Sequence, residues 1–133
     1  PRISPDGRYV MFTKADCATF PIQHVEADLK MIDLNTMEFV NTDALNSPYS
    51  DSYHSWSSNG RWVMFSSRRV DGKYTRLFFS HCDAAGRFTK PFMLPQRDPE
   101  QNGALLYAYN IPEFIKSPVR LDREKAAELF RVK

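Results

Sequence analysis

Apolar residues along this chain come in short runs, each fenced by aspartate, asparagine, glycine, serine or proline. Residues 8–13 and 61–66 are apolar at nearly every position, as a strand reads when both faces of its sheet are covered. Before the first run stands Ser4-Pro5-Asp6-Gly7, a tight turn: proline presets one dihedral, aspartate accepts a backbone hydrogen bond and glycine takes a positive φ. Asn59-Gly60 repeats that chemistry before the second run. Asp71-Gly72 then predicts a hairpin into a strand over residues 74–80, and Asp83-Ala84-Ala85-Gly86 a turn into a strand over 87–94. Pro91 has no amide to donate, so this last strand belongs on a sheet edge. Earlier in the chain, residues 28–34 and 38–42 read as the matching third and fourth strands around a turn at Asn35-Thr36.

The two apolar runs are copies of one unit. Ser4 matches Ser57, Gly7 matches Gly60, Arg8 matches Arg61, and Val10, Met11, Phe12 match Val63, Met64, Phe65, every pair 53 positions apart. Ile3 stands opposite Trp56 and Tyr9 opposite Trp62. A constant offset over a dozen positions marks one structural unit used twice. The first copy differs by a longer loop over residues 15–27. Four antiparallel strands with two apolar faces bury both only by stacking sheet on sheet, and radial stacking makes a β-propeller. The expected fold is therefore all-β: one four-stranded propeller blade over residues 1–44, a second over 45–95, and an extension with short helices over 96–133. In that extension, residues 104–109 offer one or two helical turns stopped by Pro112. Asp122 is a helix N-cap, with Ala126, Ala127, Leu129 and Phe130 forming one apolar side of a helix running to about Arg131. The extension either straps across the sheets or begins a following segment.

The strings SPDGRYVMF and WSSNGRWVMF resemble the propeller repeats of TolB-like periplasmic proteins over residues 1–95. Ile3 replaces the usual tryptophan of the first turn, and Ser58-Asn59 replaces the proline-aspartate of the second. The resemblance implies a non-enzymatic binding or scaffold domain of the bacterial cell envelope, in the periplasm, engaging a protein or peptide. The alternative is the propeller portion of a hydrolase or polysaccharide lyase, since such repeats occur beside peptidase domains and in metal-dependent glycan-degrading enzymes. Closed propellers use about four to eight blades. Two open blades are expected to need remaining blades, or self-association, to cover their apolar faces.

Composition narrows the partners. Eighteen basic and sixteen acidic residues leave a formal charge of +2, scattered along the chain, so neither a nucleic acid nor an anionic membrane is demanded. Arg68, Arg69, Lys73 and Arg76 cluster around one turn beside Tyr74 and read as a solvated hairpin tip, with phosphate contact as the rival reading. No apolar stretch reaches the roughly 18–20 residues of a membrane span, and no signal-peptide pattern is visible. The chain opens on proline and reads as an excised piece, which leaves its compartment open. Strand order places Cys17 and Cys82 at opposite ends, so both are expected to be free thiols.

Chain direction puts the loops over residues 15–27, 45–53 and 68–73 at one end, the expected face for a partner. Candidate binding residues there are Asp51, Tyr53, His54, Arg68, Arg69 and Lys73. A Ser-His triad is not expected, because adjacent strand residues such as His54 and Ser55 point to opposite faces. His24, His54 and His81 lack metal-ligand spacing, so no metal and no cofactor are expected. His54 reads as a hydrogen-bonding residue lining the channel mouth, with ligand contact as the rival.

Overall fold

The computed structural model describes residues 1–17, 19–118 and 120–129. Strands β1 (Arg2–Ile3), β2 (Tyr9–Lys14), β3 (Asp28–Asp33) and β4 (Glu38–Val40) form one antiparallel sheet in chain order. β5 (Asp51–Trp56), β6 (Trp62–Ser67), β7 (Arg76–His81) and β8 (Phe92–Met93) form a second of the same order. Among the described residues the fold is all-β apart from a 3-10 turn at Pro21–Gln23 and two short helices in the C-terminal extension, α1 (Gln101–Ala104) and α2 (Arg123–Leu129).

The repeat in sequence is a repeat in hydrogen bonding. At the first turn the Ser4 hydroxyl donates to Asp6 Oδ1 (2.6 Å), accepts from the Tyr9 amide, and Asp6 Oδ1 accepts from the Arg8 amide. At the second the Ser57 hydroxyl donates to Asn59 Oδ1 (2.7 Å), accepts from the Trp62 amide, and Asn59 Oδ1 accepts from the Arg61 amide. Gly7 and Gly60 take φ of 75° and 68°, which a Cβ would oppose. Each turn therefore starts its strand in the same register: Met11 pairs with Met31, and Met64 with Phe79.

The sheets share one core. Tyr9, Met11, Leu29 and Met31 from the first cluster with Trp56, Val63, Phe65, Phe78 and Cys82 from the second, and Leu45 from the connection completes it. Burying each of the larger side chains contributes roughly 1.5–3 kcal/mol. The lower ends also meet: the Arg8 guanidinium donates to the Ala84 carbonyl (3.1 Å), and a Cβ on Gly86 would lie 2.8 Å from the Tyr9 hydroxyl.

Several expected boundaries shift. β6 is buried on both faces from Val63 onward, but β2 is fully buried only at Tyr9 and Met11, while Val10 and Phe12 are half-buried, because no sheet covers that side. The strand expected over 74–80 begins at Arg76, since Asp71 Oδ1 accepts from the Lys73 and Tyr74 amides and prolongs the turn. The strand expected over 87–94 shrinks to Phe92–Met93 plus a Cys82–Phe88 bridge, with Pro91 breaking the ladder between them. The fourth strand of the first sheet stops at Val40, and Thr42 turns its hydroxyl to the Leu29 carbonyl.

The extension straps across the second sheet. The helical turns expected over 104–109 lie instead at Gln101–Ala104, and the chain beyond leaves the helix because Arg76 takes the Leu105 and Tyr107 carbonyls and Thr75 takes the Tyr109 amide. The Tyr109 amide donates to Thr75 O, Ser66 Oγ donates to Tyr109 O, and Phe114 packs edge-on to Phe79 at 6.0 Å. Arg76, buried beneath this segment, donates five hydrogen bonds to the carbonyls of Asn102, Leu105, Tyr107 and Thr75. Asp122 begins α2 as expected, accepting from the Glu124 and Lys125 amides; Phe130 and Arg131 lie outside the described residues.

Candidate functional site

Three connections converge at one end of the paired sheets. The Asp51 amide donates to the Ala27 carbonyl (2.8 Å), Ser50 Oγ to the Pro21 carbonyl (3.1 Å), and the Arg68 amide to the Ser50 carbonyl (3.0 Å). The loops after β2, before β5 and after β6 are thereby sewn into one surface. Gly72 makes the fit possible: at φ 71° it lies against the Tyr49 ring, and a Cβ there would approach within 2.9 Å.

Sequence-expected site residues divide into two groups. Asp51 is fully buried, and its carboxylate accepts from the Ser47 amide and hydroxyl and from Arg69 Nη2 at 2.7 Å. Arg69 also donates to the Leu45 carbonyl, and its guanidinium lies over the rings of Phe65 and Phe78 at 5.2 and 4.7 Å. Both charges are spent within the fold, so this pair organises the loops and offers nothing outward. Of the basic cluster, Arg76 lies under the C-terminal strap, Arg68 is half-buried, and only Lys73 stands in solvent. The four cations are not gathered on one surface, and neither the solvated tip nor a phosphate site describes them.

The second group lies where β5 begins. Pairing of β5 with β6 slips between Ser52 and Ser55, and Tyr53 at the slip adopts φ 50°, a left-handed conformation uncommon for a bulky residue. The bulge sends His54 inward, where it is 6 % exposed and neither ring nitrogen meets a hydrogen-bond partner. Burial, aided by Arg2, pushes its pKa down to about 4; the Met11 carbonyl opposes this from nearby without reaching hydrogen-bond geometry. The imidazole is thus neutral at pH 7, with one donor and one acceptor unused. Beside it opens a cleft of about 320 Å³ lined by Pro1, Arg2, Phe12, Pro21, Tyr53 and Ile111, among others. Arg2 is held at its rim by an ion pair with Glu113, whose carboxylate also accepts from Ser55 Oγ.

Sequence reasoning found His54 and Tyr53 but missed that Arg2, Glu113 and Ile111 join them. No local signal could have found Ile111 and Glu113, which come from the strap far along the chain; Glu113 meets Ser55 across 58 positions. His54 and Ser55 do diverge, as strand alternation requires, with Ser55 turned to Glu113. Cys17 Sγ lies 3.4 Å from both ring nitrogens of His24. An equidistant sulfur is aimed at neither nitrogen, so this contact is not a nucleophile with its base. Burial lifts the Cys82 thiol to about 11 and keeps it unreactive; both cysteines are free. Among the described residues no group of three histidine, cysteine or acidic side chains is placed to hold a metal, and no helix is long and apolar enough to cross a membrane.

Compared with known proteins, the chain matches no family model, no curated protein and no solved structure.

Proposed function

We propose that this chain is the binding or scaffold portion of a β-propeller of the bacterial cell envelope, working in the periplasm without catalysis. Its partner is a protein or peptide received on the end where the loops after β2, before β5 and after β6 meet. One observation supports this above the rest: the bulge at Tyr53 holds a buried, neutral His54, its ring nitrogens unused, beside an open, mostly apolar cleft. A neutral imidazole between apolar walls suits the amide groups and side chains of a peptide better than it suits a phosphate, and among the described residues no group of three metal-ligating side chains is gathered there. The paired repeat sheets support the propeller reading, and the resemblance to TolB-like repeats supports the compartment.

The test is retention of a discrete protein or peptide from periplasmic extract on the immobilised chain, compared with Tyr53→Ala and with Lys90→Ala as an exposed control away from the cleft. The reading expects one partner lost with Tyr53→Ala and kept with Lys90→Ala, both variants showing the parent's circular dichroism. Stoichiometric zinc or manganese that disappears with His54→Ala, or hydrolysis of the retained partner, contradicts it.

A further inference from the structure

The two repeat turns meet at the lower end of the stack. Pro5 of the first lies beside Gly60 of the second, where an added Cβ would stand 3.7 Å from its ring. Between the turns opens a cavity of about 260 Å³ lined by Ser4, Asp6, Tyr9, Asn59, Arg61 and Cys82, among others. It shares no lining residue with the His54 cleft.

Several polar groups around this cavity are left unused by the fold. Tyr9 is 5 % exposed, and its hydroxyl meets no hydrogen-bond partner. Most charges nearby are spent: Arg8 pairs with Asp33 and donates to the Ala84 carbonyl, and Asp83 pairs with Arg87. Asp6 and Arg61, one on each turn, form no ion pair among the described residues, with each other or with anything else. The Ser4 hydroxyl and the Arg8 amide hold the Asp6 carboxyl below its usual pKa, so it is ionised at neutral pH. The turn does not need that charge. Asn59 accepts the same two hydrogen bonds in the second turn with a neutral side chain, and its Nδ2 donors remain over. One carboxylate, one guanidinium and a buried hydroxyl therefore surround a space just below the roughly 300 Å³ at which small-molecule pockets begin.

We propose that this cavity binds a small zwitterion of the α-amino-acid class, its ammonium on Asp6 and the Tyr9 hydroxyl, its carboxylate on Arg61 and the Asn59 amide. A plain amine leaves Arg61 unanswered, and a plain carboxylate is repelled by Asp6. A metal ion is the poorer occupant, because no three ligating side chains gather there among the described residues. Had the second turn kept an aspartate, two carboxylates would line the space; Asn59 leaves one, which matches a single ammonium. The site is independent of the proposed function.

The test follows amide NMR shifts of the chain on adding alanine, propionate, which lacks the ammonium, and ethylamine, which lacks the carboxylate. Alanine is expected to shift amides of residues 4–9, 59–61 and 82–84 saturably, and to bind about tenfold or more tighter than either analogue, since each forfeits charged hydrogen bonds. Asp6→Asn should weaken alanine by about tenfold or more with the parent's circular dichroism intact, because asparagine already makes this turn at Asn59. Tyr9→Phe removes only a hydroxyl that has no partner in the fold, so it should weaken alanine while leaving the urea midpoint no lower than the parent's. Arg61→Gln should bring alanine down to the affinity of ethylamine. The proposal is overturned by alanine shifts that do not saturate at tens of millimolar, by either analogue binding as tightly as alanine, or by parent-like alanine affinity in any of the three variants.

Discussion

His54 is a single side chain through which pH acts on the stability of the fold. Its folded pKa, about 4, lies below the ordinary histidine value, so below about pH 6.5 the unfolded chain takes up a proton that the native chain refuses. Stability is therefore complete above about pH 6.5, declines as the pH falls, and stops declining from this source below about pH 4. The full effect is on the order of 3 kcal/mol. Urea unfolding of the parent and of His54→Phe across this window isolates it from the carboxylates: the parent should lose more stability than the variant between about pH 6.5 and 4. Equal slopes would mean that the imidazole is solvated in the native state. Tyr53 is the neighbouring residue that sets this burial, through a backbone conformation its own side chain does not favour.

Among the elements, the strap depends on Arg76. Its guanidinium is buried with carbonyl oxygens for partners, and these hold residues 102–107 against β7. Charged hydrogen bonds of this kind are worth about 1.5–3 kcal/mol each to break singly. Arg76→Met should release the strap: proteolysis is expected to cut within residues 104–115 many times faster than in the parent, while the strands of the first sheet keep their circular dichroism. Unchanged proteolysis would place the anchoring in Phe114 and Glu113 instead. The same contacts explain what the sequence revealed and what it did not. The Ser-x-Asx-Gly turns were legible because every bond they make lies within five residues. The helix expected over 104–109 and the strand start at Tyr74 were misplaced because their backbone groups are taken by Arg76, Thr75 and Asp71. Likewise the basic cluster looked like a solvated tip, since nothing near it in sequence announced Asp51 or the carbonyls of the strap. The slip at Tyr53 had no glycine to mark it.

For the whole molecule, the central claim is that two copies of one sheet are fused through a single core, not merely tethered. Phe65 lies in that core, fully buried, stacked on Phe78 at 6.3 Å and grouped with Met11, Leu29 and Met31 of the other sheet. Phe65→Ala is expected to cost about 3–5 kcal/mol. Native-state hydrogen exchange on this variant tests the claim most directly. A shared core predicts that amides of β2 and β3 lose as much protection as those of β6 and β7, because both sheets open together. Loss confined to β6 and β7, with β2 and β3 protected as in the parent, would show two sheets that fold independently and would contradict it.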